Sequence, residues 1–320
     1  MTRKEQPEAP PLGPHVQLDG HLVLTGSCSW AAKTLVEDAG WYPRRTMSAK
    51  ERLRFYASQF PLTEIDSTYY APPAERQARL WAERTPQGFR FDVKAYSLLT
   101  GHPTRPRTLW ADLRERLGPE AEGKRNIYPH HLDSEALQEA WRRFEAALRP
   151  LHEAGRLGMV LFQYPPWFVP RRENRRELEA LRERLPHYRV AVEFRSPMWL
   201  AAPRDRERTL AMLEEHGLVF VCVDAPAVSG LPRVMAATNE ELAVVRFHGR
   251  SDSTWTDTSR SAAERFRYLY SEGELREMLG PVVETAEQVR EAHLLMNNCY
   301  RDYAVRNAAQ LRDLLARLVG

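Results

Sequence analysis

Charged side chains recur at the ends of short apolar runs in this chain. In the clearest case, residues 189–199, valines and a phenylalanine alternate with Glu193 and Arg195 before Pro197 ends the run. Successive side chains of a strand point to opposite faces, so the run predicts a strand with one apolar and one charged face. Buried charges are costly unless they are paired or used. The segment therefore indicates a candidate site at the end of a strand.

Acids and a histidine at the predicted strand ends could carry out acid–base chemistry. Such groups act as general acids, as bases, or as ligands of a divalent metal that activates water. We predict four catalytic residues: Glu64, Glu193, Asp224 and His248. Of these, Glu193, Asp224 and His248 could bind one divalent metal ion. Only His248 among the histidines lies at a predicted strand end, so a trinuclear zinc site is not expected.

Basic, amide and aromatic residues near the same ends could hold a substrate. Arginine makes bidentate contacts to anionic oxygens, and a tryptophan ring can stack on a sugar or a base. The predicted substrate-binding residues are Trp30, Lys94, Gln163, Arg195, Arg246, Arg250, Trp255 and Asn297. The alternative is a buried salt-bridge network, with Glu193 paired to Arg246, for example. That alternative explains single pairs more easily than the whole set.

The elements that must position these groups alternate along the chain. Eight predicted strands are separated by mostly helical connections, which is typical of a TIM (β/α)8 barrel with its site at the C-terminal mouth. The longest connection, residues 95–158, follows the third strand and is typical of a lid or binding loop. An open doubly wound sheet fits less well, because no G-x-G-x-x-G motif follows the first strand.

Composition limits the organisation and setting of the protein. Residues 1–20, which are rich in proline, predict a flexible tail, and residues 21–320 predict a single domain. The formal charge of +3 is too small to indicate nucleic-acid binding by itself. Three cysteines without a C-x-x-C pair favour a reducing cytoplasm. Since no apolar run reaches membrane-spanning length, we expect a cytoplasmic protein with no membrane contact.

Taken in order, the phrases at the strand ends resemble the YecE-like family, number 72 among the domains of unknown function. These phrases are Trp41-Tyr42-Pro43, residues 64–70, 89–95, 161–166, 192–195, 223–226 and 246–250, and Asn297-Asn298. The resemblance runs from about Gly26 to Leu314 and implies a TIM barrel. It implies no settled activity, although a fold-level similarity to endonuclease IV has been proposed for the family.

The chain departs from the family pattern in three places. Asp66 stands where the family usually has asparagine, and Gly101-His102 stands where it usually has Thr-His. The loop over residues 100–131 is also longer than usual.

Three functions are compatible with these residues. The first is a phosphodiesterase-like or endonuclease-like hydrolase that acts on an anionic small molecule or a nucleic acid. The second is a protein that binds such a ligand without turnover. The third is a metal-free glycosidase-like enzyme in which Glu64 and Glu193 form the carboxylate pair.

Overall fold

Nine strands form one sheet in the computed structural model, which describes residues 10–255, 257 and 262–319. The strands are β1 (Val16–Leu18), β2 (His21–Ser27), β3 (Leu62–Ile65), β4 (Arg90–Lys94), β5 (Leu157–Tyr164), β6 (Val190–Phe194), β7 (Val219–Asp224), β8 (Leu242–Phe247) and β9 (Glu291–Met296). Strands β2 to β9 pair in parallel in chain order, and β9 pairs back to β2 from Leu22↔Glu291 to Ser27↔Met296. The sheet therefore closes into the predicted eight-stranded barrel.

Helices surround this barrel. Within the described residues they are α1 (Lys33–Glu37), α2 (Ala49–Gln59), α3 (Glu75–Glu83), α4 (Ala111–Arg114), α5 (Ser134–Glu153), α6 (Arg172–Glu179), α7 (Leu181–Arg184), α8 (Pro203–Glu215), α9 (Asp252–Trp255), α10 (Ala262–Arg265), α11 (Glu272–Ala286) and α12 (Tyr303–Val319). Ser48 and Glu51 form a capping box at the start of α2. The long helix α5 begins at Asp133, whose side chain accepts a hydrogen bond from Ala136 N–H. None of the helices in the described part of the chain is both long and apolar enough to cross a membrane.

Alternation along the strands separates two apolar layers. One layer fills the barrel, with Leu24, Leu161, Ala191, Val221 and Leu295 among its members. The other lies between the strands and the helices, and it takes the intervening residues such as Val192 and Phe194. As predicted for residues 189–195, the apolar face of β6 therefore packs outward, and Ala191 and Glu193 point into the barrel.

Part of the predicted N-terminal tail is ordered. Val16–Leu18 forms β1, which pairs antiparallel with β2 from Val16↔Val23 to Leu18↔His21. Val16 and Leu18 are buried. Strand β3 reaches β2 only at Gly26 and Ser27. Hence β1 covers the edge of β2 that β3 leaves unpaired, a tertiary role that a three-residue strand does not reveal in sequence.

The connection after β4 is long, as predicted, and it is built from short turns. It contains four 3₁₀ turns and the four-residue helix α4 before α5 begins. Two isolated antiparallel bridges, Thr104↔Ile127 and Leu117↔Leu132, tie it together. It therefore has its own backbone hydrogen bonds, although it contains no long helix or strand.

Candidate functional site

Polar side chains from six strands or strand ends converge inside the C-terminal mouth of the barrel. Each continues the inward-facing positions of its strand, so that Glu64 follows Leu62 on β3 and Arg246 follows Val244 on β8. We call this set the mouth cluster; its members are Glu64, Lys94, Gln163, Glu193, Arg195, Arg246, His248 and Asn297. The structure thus brings together eight of the twelve residues that the sequence predicted for the site.

Glu193 and Arg246 form the centre of the mouth cluster. Arg246 donates from Nη1 to Glu193 Oε2 and from Nη2 to Glu64 Oε1, the latter at 2.9 Å. Glu193 Oε1 also accepts from Gln163 Nε2 at 2.6 Å and from Arg195 Nε at 2.7 Å. The Arg246–Glu193 pair that the sequence allowed therefore exists. Arg246 stabilises both carboxylates rather than presenting a free guanidinium.

The two glutamates have opposite electrostatic environments. Burial would raise the pKa of Glu193, but the charges of Arg195 and Arg246 outweigh it and hold that pKa well below its usual value. Burial raises the pKa of Glu64 to about 7, although Arg246 and Lys94 act to lower it. Glu193 is therefore an ionised anchor. Glu64 is a carboxyl group that exchanges its proton near neutral pH.

Lys94 is the one cation of the mouth cluster without a carboxylate partner within the part of the chain that the structure describes. Its Nζ donates to Gln163 Oε1 at 2.8 Å and lies 4.6 Å from the centre of the Tyr69 ring. Burial lowers the pKa of Lys94, and the charge of Arg246 lowers it further. The side chain is half-buried, so its amine faces the mouth while its stem packs in the barrel.

His248 packs between charged groups as a neutral ring. Its Nε2 lies 3.2 Å from Arg195 Nη2 and 3.3 Å from Glu193 Oε1, and Asn297 Nδ2 lies 2.7 Å from its Nδ1. Burial lowers the pKa of His248 to about 3, and the charge of Arg195 contributes to the shift. A ring with this pKa is neutral at neutral pH, so it does not act as an imidazolium acid. His248 therefore positions Arg195 and Glu193.

The mouth cluster lines a cavity of about 340 Å³. Lys94, Gln163, Arg195 and Asn297 reach it from the cluster, together with Glu64 and Arg246. The loops add residues that the sequence analysis did not assign to the site: Ser29, Ala31, Ala32, Asp66, Ser67, Tyr69, Tyr70, Phe266 and Cys299. The carboxylate of Asp66, next to Glu64 along the inward-facing row, could have been assigned by strand parity alone.

Asp224 and Arg250 do not belong to this cavity, which corrects two sequence predictions. Asp224 follows Phe220 and Cys222 on the outward face of β7, because Val219, Val221 and Val223 fill the barrel. Its carboxylate accepts from Tyr270 at 2.6 Å, from Arg233 at 2.7 Å and from Arg250 at 3.0 Å. Arg250 also pairs with Glu277 at 2.8 Å. These residues tie the loops after β7 and β8 to α11.

The predicted metal trio is not assembled. Glu193 and His248 are adjacent, but Asp224 points to the other side of the sheet. Among the described residues, no three histidine, cysteine, aspartate or glutamate side chains are placed to hold one ion. Glu193 is also already occupied by two guanidiniums. We therefore assign no step to a metal.

The two tryptophans predicted to stack on a ligand have different positions. Trp30 packs edge-on against Trp81 and Phe91, at 6.1 and 5.9 Å between ring centroids, and joins the layer under the helices. It is a packing residue, contrary to the prediction. Trp255 lies at the mouth, with the Arg195 guanidinium 5.2 Å from its ring centre. It lines a second cavity of about 540 Å³ that shares Arg195 and Phe266 with the first.

A second charged cluster, which the sequence analysis did not identify, lies toward the N-terminal end of the barrel. His293 contacts Asp92 through Nδ1 at 2.8 Å and Glu291 through Nε2 at 2.6 Å. Arg90 and Arg189 pair with Glu291 at 3.0 and 3.5 Å. We call these five residues the floor cluster. The sequence contained the information needed to find it, because Glu291 and His293 alternate along the last strand on the same face as Asn297, which was assigned to the site.

The matched family model is described as a protein of unknown function, DUF72, and it covers residues 24–319. The chain belongs to the DUF72 family. This confirms the resemblance read from the strand-end phrases.

Relatives of this DUF72 chain support the same assignment. The UPF0759 protein YunF of Bacillus subtilis is 32% identical over 279 residues, which is 86% of this chain and 89% of YunF. A crystal structure of a DUF72 protein from Thermotoga maritima is 32% identical, with a TM-score of 0.71, and the match covers 92% of this chain and 99% of that one. A DUF72 structure from Enterococcus faecalis, 24% identical, has a TM-score of 0.73 over 92% of this chain and 95% of that one. The barrel fold is therefore shared with solved members of the family.

Proposed function

We propose that this DUF72 protein is a metal-independent hydrolase that acts on an anionic substrate, either a phosphorylated small molecule or a nucleic-acid fragment. The observation that carries the proposal is the pair of buried glutamates whose pKa values are shifted in opposite directions in the cluster that lines an open cavity. Divergent pKa values in neighbouring acids are typical of acid–base sites.

Glu64 has the properties of a general acid. Its pKa of about 7 leaves a large fraction protonated at neutral pH, which suits proton transfer to a departing oxygen. Its Oε1 is held by Arg246 and its Oε2 lies 3.7 Å from Cys28 Sγ, so the carboxyl group is fixed in orientation. Cys28 does not compete with Glu64 as the proton donor, because burial raises the pKa of its thiol well above its ordinary value.

Asp66 is the acid best placed to activate water. It lines the same cavity as Glu64, and its side chain is exposed to solvent. Packing around the carboxylate raises its pKa and makes it a stronger base than a free aspartate. In this proposal Asp66 removes a proton from the attacking water, and Glu64 protonates the leaving group.

Lys94 and Arg195 would bind the anion. Both line the cavity, and Arg195 is held by Glu193, His248 and the face of Trp255. A guanidinium fixed in this way loses little conformational freedom when it binds an oxyanion. The assignment predicts that Arg195 contributes mainly to substrate affinity, whereas Glu64 contributes to the rate.

The test is hydrolysis of a panel of chromogenic substrates in the presence of a chelator. The panel contains p-nitrophenyl phosphate, bis(p-nitrophenyl) phosphate and p-nitrophenyl glycosides. For an accepted phosphate ester, we expect Glu64→Gln to lower kcat by about 10²–10⁴-fold. The matched control is Asp224→Asn, an acid at the end of β7 that lies outside the cavity, and it should leave kcat unchanged.

The other outcomes separate the alternatives. Activity lost with the chelator and restored by a divalent metal would contradict the metal-independent mechanism. Turnover of glycosides alone would favour the glycosidase-like alternative, in which two carboxyl groups flank the scissile bond. Affinity for phosphate esters or oligonucleotides without any product would identify a binding protein.

A further inference from the structure

The amine of Lys94 has an environment unlike that of an ordinary substrate-binding lysine. Its hydrogen-bond acceptor is the neutral oxygen of Gln163, and in the described part of the chain no carboxylate lies within ion-pair distance of Nζ. Burial lowers the pKa of Lys94, and the guanidiniums of Arg246 and Arg195 act in the same direction. The charges of Glu64 and Glu193 oppose this shift without cancelling it. A lysine that must act as a nucleophile needs a fraction of neutral amine.

The cavity beside Lys94 contains the other groups that carbonyl chemistry needs. Glu64, a carboxyl group that can give up a proton, lines the same wall and interacts electrostatically with Lys94. Arg195 provides a fixed positive charge for an anionic group on the reactant. The Tyr69 ring, 4.6 Å from Nζ, would favour a cationic nitrogen in either the ammonium or the iminium form.

We propose that Lys94 forms a Schiff base with a small aldehyde or ketone that carries a carboxylate or phosphate group. This activity goes beyond the proposed hydrolysis and does not require it.

The step balances without any further reactant. The neutral Nζ attacks the carbonyl carbon, an N–C bond forms, and the oxygen takes a proton from Glu64 to give a carbinolamine. The C–O bond then breaks, and the oxygen leaves as water with one hydrogen from the amine and one from Glu64. The product is an iminium ion on Lys94 beside the Glu64 carboxylate, and no group is oxidised or reduced.

The test is reductive trapping of the full chain with cyanoborohydride, using pyruvate and glyoxylate as probes, followed by peptide mapping. The chain has only five lysines, at positions 4, 33, 50, 94 and 124, so the position of an adduct can be assigned directly. We expect one adduct per chain, on the Lys94 peptide. Lys94→Arg keeps a positive charge but removes the nucleophilic amine, and it should reduce trapping at least tenfold.

The matched control is Lys33→Met, since the Lys33 side chain is 81% exposed and should contribute nothing to the adduct. Equal labelling of Lys33, Lys50 and Lys124, or no adduct with either probe, would overturn the proposal. Mapping the wild-type chain decides the matter even if the Lys94 variant folds poorly. Because the hydrolysis assay contains no carbonyl compound, failure of trapping leaves the hydrolase proposal intact, and absence of hydrolysis leaves this one intact.

Discussion

The two ends of the barrel contain charged clusters of similar composition but different design. In the floor cluster, both ring nitrogens of His293 contact carboxylates and Glu291 pairs with two arginines, so every charge has a partner. In the mouth cluster, Lys94 pairs with the neutral Gln163 rather than with any carboxylate of the described residues, Glu64 has a pKa of about 7, and a cavity adjoins both. Complete pairing is what a buried structural network needs. Incomplete pairing next to a cavity indicates chemistry.

The protonation of the two histidines shows the same contrast. Burial acts to lower the pKa of His293, but Asp92 and Glu291 outweigh it, and the net shift is upward. The pKa of His248 falls to about 3 because burial and Arg195 act together. One imidazole is thus a buried cation that joins two acids, and the other is a neutral positioning group.

The largest expected effect is the loss of the floor imidazolium. Replacing His293 with glutamine leaves Asp92 and Glu291 buried without their shared cation, and breaking a buried pair costs roughly 3–5 kcal/mol. Urea unfolding measures this cost. The control, His248→Gln, removes a neutral ring and should cost about 1 kcal/mol. An equal loss of unfolding free energy in the two variants would contradict the view that the floor cluster is fully paired and the mouth cluster is not.

A smaller loss of stability should follow from adding a methyl group next to the floor cluster. A Cβ on Gly158 would lie 2.2 Å from Asp92 Oδ1 and 2.9 Å from His293 Cε1, so Gly158→Ala must displace the buried pair. Overpacking of this kind costs about 1–3 kcal/mol. Gly280→Ala is the control, because nothing lies within 4 Å of its Cβ position in α11, and it should instead add up to about 1 kcal/mol. Thermal unfolding measures both effects. An equal decrease in Tm for the two variants would contradict the close packing at Gly158.

The pH dependence of stability should change when Glu64 is neutralised. The folded-state pKa of Glu64, about 7, lies above the ordinary value of 4.5, so the native state binds more protons between these pH values. Stability in the wild type therefore falls as pH rises from 4.5 to 7, and Glu64→Gln should flatten this slope, with a gain of about 3 kcal/mol at pH 8 relative to low pH. Urea unfolding at a series of pH values tests this. An unchanged slope would mean that Glu64 titrates normally.

His293 contributes a slope of the same sign in a different pH range. Its folded pKa is raised, so its stabilisation is complete below the unfolded value of about 6.5 and is lost as pH rises through the folded pKa. In Glu64→Gln this remaining decline should persist at higher pH, which separates the two groups.

Strand alternation predicted much of the site, because on most strands the inward-facing row of side chains ends in a polar residue. In and after β6, the row Ala191, Glu193 and Arg195 contains charged side chains. The other row, Val190, Val192 and Phe194, is entirely apolar and packs outward. This difference in polarity showed which row faces the barrel interior. The barrel itself followed from the number and order of such strands.

The same reasoning failed at β7. Val219, Val221 and Val223 alternate with Phe220 and Cys222, and both rows are apolar because parallel strands are buried on both faces. Polarity therefore could not decide which face Asp224 takes. The packing of Trp30 against Trp81, the pairing of β1 with β2 and the pKa values of the glutamates depend on residues distant in sequence, so no local pattern revealed them.

The central claim is that Glu64 carries an exchangeable proton near neutral pH beside the mouth cavity. The most direct measurement is a ¹³C NMR titration of glutamate side-chain carboxyls, with Glu64 assigned by its absence in Glu64→Gln. We expect a resonance that titrates with a pKa of about 7. A Glu64 resonance that titrates at or below the ordinary value of 4.5 would contradict it and make the mouth cluster a second structural network like the floor.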